Sequence, residues 1–85
     1  MINKDDKNES ELSKIEVFLG KRLRAFRKQF GWSLMELGSL VGVSHHQIHK
    51  YELAQTRISA AKLYKFSQLF GIPADRFFEG IQNQS

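Results

Sequence analysis

The pattern of apolar positions changes near residue 15. From Met1 to Ser13 the apolar residues are scattered among Asn, Asp, Lys, Glu and Ser, which reads as a flexible tail. From Ile15 onward Leu19, Leu23, Phe26 and Phe30 recur at spacings of four, three and four, predicting an amphipathic helix. Lys21, Arg22, Arg24 and Lys28 fall on its other faces, and Gly31 supplies the positive φ of a C-terminal cap. Ser33 followed by Glu36 makes a Ser-x-x-Glu capping box for a second helix, Leu34 to about Val41, which Gly42 stops. Ser44 caps a third helix running to about Glu52. After a polar connection from Gln55 to Ile58, Ser59 caps a fourth helix, Ala60 to Phe70, with Leu63, Phe66, Leu69 and Phe70 at helical spacing. Gly71 ends it. Pro73 suits a first turn, and Ala74 to about Glu79 is expected as a short fifth helix carrying Phe77 and Phe78. No strand alternation or internal repeat interrupts this order. The expected fold is all-α: a five-helix bundle over 15–81, with a flexible tail over 1–14 and a C-terminal tail over 82–85.

Eighty-five residues suffice for one domain, and with no cysteine neither disulfides nor cysteine-ligated zinc can hold it. Seven Phe and one Trp supply the large side chains such a small core needs. No apolar run approaches the ~20 residues of a membrane span, and the polar, acidic start is unlike a signal peptide. A cytoplasmic protein without a membrane partner is therefore expected. The net charge of +4 is unevenly placed. Met1 to Glu16 holds three Lys against five Asp/Glu, net −2; the remainder holds ten Lys/Arg against four Asp/Glu, net +6. A folded part more basic than the whole suits a polyanionic partner. Nothing resembles a catalytic site: there is no paired-carboxylate cleft, nucleophile motif or glycine-rich phosphate loop. His45 and His49 have the i, i+4 spacing of a chelate but no third ligand, so no metal, cofactor or small-molecule ligand is expected.

The stretch WSLMELGSLVGVSHHQIHKYE carries the most specific pattern. It resembles the phage repressor/Cro-like, or Xre-type, helix-turn-helix family, and the resemblance extends from about Leu19 to Phe78. Leu37, the small Gly38, Val41, the turn Gly42, Ile48 and Tyr51 fall where that family has leucine, alanine, apolar, glycine, β-branched and apolar residues. RISAAKLYKFSQLFGIPADRFF resembles its fourth and fifth helices. The implied fold is the lambda-repressor-like bundle. Arg27 lies on the apolar stripe of the first helix and needs a partner there; the family pairs an arginine at this position with a glutamate, here Glu52.

The resemblance implies a sequence-specific regulator that binds double-stranded DNA with its third helix in the major groove, a repressor before an activator. His45, His46, Gln47, His49 and Lys50 are the expected base-contacting residues: Gln47 can present a donor and an acceptor to adenine, and Lys50 can donate to guanine. Ser33 and Ser44, at helix N-termini, and Thr56 and Arg57, in the loop after the third helix, are expected on phosphates. A homodimer on a pseudo-palindromic operator, formed in solution or only on DNA, is expected, with Phe77 and Phe78 as its surface. The alternative reading is a protein-interaction module such as the antitoxin of a toxin–antitoxin pair. Three positions depart from the family. Leu34 stands where many relatives place a phosphate-contacting glutamine. Leu53 and Ala54 replace a polar residue and a glycine, which leaves the end of the third helix and its phosphate clamp open to a different shape.

Overall fold

The structure, a computed structural model, describes residues 4–81, with side chains from Leu12 onward. The C-terminal tail expected over 82–85 lies outside the described residues. Four α-helices follow one another, α1 (Lys4–Gln29), α2 (Leu34–Val41), α3 (His45–Glu52) and α4 (Ala60–Phe70), and a 3-10 helix spans Ala74–Phe78. Two expectations are corrected. α1 starts at Lys4, earlier than the expected start near Ile15. The segment Lys4–Lys14 has neither Gly nor Pro to interrupt a helix. The fifth helix is 3-10 and not α, because five residues between Pro73 and Glu79 leave room for little more than one tight turn.

Local chemistry explains the boundaries. Ser33, Ser44 and Ser59 each adopt extended backbone geometry, and each hydroxyl accepts the N–H three residues on, from Glu36, Gln47 and Lys62. Glu36 returns the favour at α2, its carboxylate accepting the Ser33 N–H at 2.8 Å, which completes the capping box. Gly42 and Gly71 close α2 and α4 in the left-handed region, where glycine avoids the penalty of a Cβ.

The helices bury one shared core. Leu19, Leu23 and Phe26 from α1 meet Leu37 and Val41 from α2, Ile48 and Tyr51 from α3, Phe66 and Phe70 from α4, and Phe77. The centre is aromatic: the Phe26 ring stands edge-on to Phe77 at 5.1 Å and tilts against Phe70 at 5.5 Å. Phe77 is 0% exposed, which overturns its assignment to a dimer surface. Arg22 explains the burial, since its guanidinium clamps the 3-10 turn to α1 by donating to the carbonyls of Arg76 at 2.8 Å and Glu79 at 2.7 Å. Phe78 is half-buried and packs against the same core. Phe30, read as a stripe residue, is 46% exposed and instead rims the core, its ring 4.9 Å from Trp32 and 5.1 Å from Phe70.

Gly38 and Gly20 permit the close approaches on which α3 depends. A Cβ on Gly38 would lie 2.5 Å from the Val43 carbonyl oxygen, so the α2–α3 turn closes onto bare backbone. The alanine of the resembled family would require that turn to open by several tenths of an ångström. Gly20 does the same where α1 passes the end of α3: a Cβ there would meet the carbonyl oxygens of Tyr51 and Glu52 at 2.6 and 2.7 Å. Among the described residues no helix is long and apolar enough to cross a membrane.

Candidate nucleic-acid interface

α3 is two-faced for a simple reason of spacing. Ile48, Tyr51 and Glu52 turn inward and are buried, whereas His45, His46, His49 and Lys50 are exposed. The inner row is anchored by packing from Ile48 and Tyr51 and by an ion pair at its end. Arg27 Nε donates to Glu52 Oε2 at 2.6 Å and Nη2 to Oε1 at 3.1 Å, a bidentate geometry suited to guanidinium and carboxylate. The third guanidinium nitrogen, Nη1, donates to the Trp32 carbonyl at 2.9 Å. One arginine thus ties the end of α1, the residue after Gly31 and the last turn of α3 together.

The outer row carries donors and positive charge. The rings of His45 and His46 lie 4.1 Å apart at the first turn, and Lys50 stands one turn further along. Gln47 is the exception among the expected base contacts. It is half-buried, and its Nε2 donates to Thr56 Oγ1 at 2.8 Å across the loop that follows α3. Arg57 is exposed on that same loop. No group of three metal-ligating side chains occurs among the described residues.

The two N-terminal serines differ as anion sites. At α2 the Glu36 carboxylate already occupies the Ser33 N–H, and its charge opposes a phosphate. At α3 the first turn has no acidic residue, so the positive end of the helix and the Ser44 hydroxyl, which accepts from Gln47 N–H at 3.1 Å, keep their proton donors available.

The end of α3 holds the shape that Leu53 and Ala54 left open. Ala54 takes φ +59°, the Ala54 N–H donates to the Tyr51 carbonyl at 3.1 Å, and the Gln55 N–H reaches the Lys50 carbonyl at 2.8 Å. These two bonds form a Schellman motif with alanine in the place that glycine usually fills. The turn delivers Thr56 back to Gln47. Alanine in the left-handed region carries a steric penalty, so Ala54→Gly is expected to raise stability by about 1 kcal/mol. A thermal melt of the variant no higher than that of the parent would contradict this reading of the turn.

Three contacts that shape this part of the fold have no strong local signal in the sequence: the Gln47–Thr56 bond, the Arg22 clamp and the Gly20 approach. Only Gly20 offered a clue, because a glycine inside a helix costs about 1 kcal/mol relative to alanine and so asks for a packing reason.

A compact all-α domain with a short helix, a glycine turn and a second helix whose outer side is polar and basic is the helix-turn-helix class of DNA-binding fold. Comparison with known proteins agrees. The helix-turn-helix domain family matches residues 20–83. A helix-turn-helix-type transcriptional regulator of Sinorhizobium medicae is 35% identical over 72 residues, covering 85% of this chain and 52% of the relative. One of Rickettsia conorii is 35% identical over 71 residues, covering 84% and 57%. The chain thus spans about half the length of these relatives. Among solved structures, the restriction-modification controller protein C.AhdI of Aeromonas hydrophila superposes with TM-score 0.68 at 27% identity, covering 73% of this chain and 94% of that one. The P22 c2 repressor, solved with a synthetic operator, gives 0.66 at 31% identity with the same coverage. The chain belongs to the Xre/Cro-like helix-turn-helix family of transcriptional regulators.

Proposed function

We propose that this protein binds duplex DNA sequence-specifically through α3 in the major groove and thereby regulates transcription, as a repressor before an activator. The observation that carries the reading is the two-sidedness of α3. Its inner row is locked by Ile48, Tyr51 and the Arg27–Glu52 pair, while His45, His46, His49 and Lys50 face outward. Base edges are read by that outer row together with Gln47. Ser44, Thr56 and Arg57 contact phosphates and set register; Ser33 contributes its hydroxyl only, because Glu36 holds its N–H. One such module spans few base pairs, so two copies act on a pseudo-palindromic operator. The similarity to a repressor solved on its operator supports this docking.

Selection of bound sequences from a random duplex library tests the proposal. An inverted repeat should emerge and give specificity and half-site spacing together. Gln47→Ala should then relax preference at one position per half-site by about 1–3 kcal/mol. Arg57→Ala should weaken all duplexes alike and flatten the dependence of affinity on salt. A folded protein that draws no preferred sequence from the library overturns the proposal.

A further inference from the structure

We infer that Thr56 is a positioning residue that sets which base Gln47 prefers; the inference rests on the reading of α3 given above. A glutamine amide offers two N–H donors and a carbonyl acceptor on a long side chain. Left unrestrained, it can turn two donors toward the O6 and N7 acceptors of guanine, or a donor and an acceptor toward N6 and N7 of adenine. The Thr56 hydroxyl removes that choice. Its oxygen accepts one Gln47 Nε2 proton at 2.8 Å in a half-buried setting, leaving one N–H and the carbonyl for the groove. That remaining edge is the donor–acceptor pair that adenine matches and guanine does not.

The backbone holds both ends of this bond. The Gln47 N–H is capped by Ser44 Oγ at 3.1 Å, and the Thr56 loop is set by the Schellman turn at Ala54. Thr56 Oγ1 also keeps its own proton, so it can accept from Gln47 and donate to a phosphate at the same time. Seating the backbone and orienting the reading amide then depend on one hydroxyl.

Thr56→Val removes the hydroxyl at nearly constant shape, and Thr56→Ser restores it. In the free protein, exchange of the Gln47 side-chain amide protons with water, followed by nuclear magnetic resonance, should be slowed in the parent and in Thr56→Ser but not in Thr56→Val. On DNA, selection with each protein should show the adenine-over-guanine preference at the Gln47 position falling roughly tenfold in Thr56→Val and returning in Thr56→Ser. If Thr56→Val weakens every duplex equally and keeps the adenine preference, Thr56 acts on phosphate alone and the inference is overturned. It is likewise overturned if valine leaves Gln47 amide exchange unchanged. A third variant separates this from the underlying reading: if Gln47→Ala leaves base preference intact, the assignment of Gln47 to a base has failed, and the coupling falls with it.

Discussion

Arg27→Met is expected to destabilise the protein by about 3–5 kcal/mol, the cost of leaving one member of a buried ion pair without its partner. A small domain has only about 5–15 kcal/mol in total, so the variant should be partly unfolded near body temperature. The direction of the asymmetry within the pair can be argued. Glu52 is the more deeply buried, its side chain 2% exposed against 10% for Arg27. It also sits in the last turn of α3, where the negative end of the helix macrodipole opposes a carboxylate. Arg27, in the last turn of α1, has the favourable arrangement and keeps a second acceptor in the Trp32 carbonyl. Removing Arg27 therefore orphans a charge in the worse place and also strips Trp32 of its donor. Glu52→Leu should cost less, because Arg27 retains Trp32 and can extend toward water.

The double variant Arg27→Met/Glu52→Leu provides the control. Two apolar groups in place of a buried pair are often tolerated, so it should be more stable than Arg27→Met alone despite carrying one more change. The residual deficit is the unsatisfied Trp32 carbonyl, about 1–3 kcal/mol. Denaturant titration of the four proteins measures all of this. Equal midpoints for the parent and Arg27→Met would mean that the pair is solvated in solution.

Features written in adjacent residues were legible from the sequence, and features made by distant ones were not. The starts of α2, α3 and α4 rest on Ser33, Ser44 and Ser59, and the ends of α2 and α4 on Gly42 and Gly71, all within a few residues of the atoms they satisfy. The outward row of α3 follows from helical spacing once Ile48 and Tyr51 are placed inside. Phe77 shows the limit. Its spacing is compatible with a surface or a core position, and burial is decided by Phe26, Phe70 and the reach of Arg22 across more than fifty residues. Gln47 shows the same limit at the site, where the partner that restrains it lies in a loop whose path depends on an alanine in a left-handed turn. The start of α1 at Lys4 is hidden in the sequence for a different reason. A polar segment without an apolar stripe looks unstructured by periodicity, yet nothing in Lys4–Lys14 breaks a helix propagated from the core.

Gly20→Ala is expected to lower stability by about 3 kcal/mol, the upper end of what overpacking costs, although alanine is the better helix former. In an unobstructed helix the same change would gain about 1 kcal/mol. The sign reverses here because the new methyl would stand 2.6 Å from the Tyr51 carbonyl oxygen and 2.7 Å from that of Glu52. Neither atom can step aside cheaply. The Tyr51 carbonyl accepts the Ala54 N–H within the Schellman turn, and Glu52 is held by Arg27. Relief requires α1 and α3 to separate as bodies, which also strains the bidentate pair and the loop bearing Thr56. Gly20→Ala should consequently weaken DNA binding even at temperatures where the variant remains folded. Circular dichroism melts give the stability, and titration against a selected duplex at low temperature gives the affinity of the folded form. A higher melting temperature in Gly20→Ala would show that the two helices do not approach so closely in solution, and the account of how α3 is held would have to be replaced.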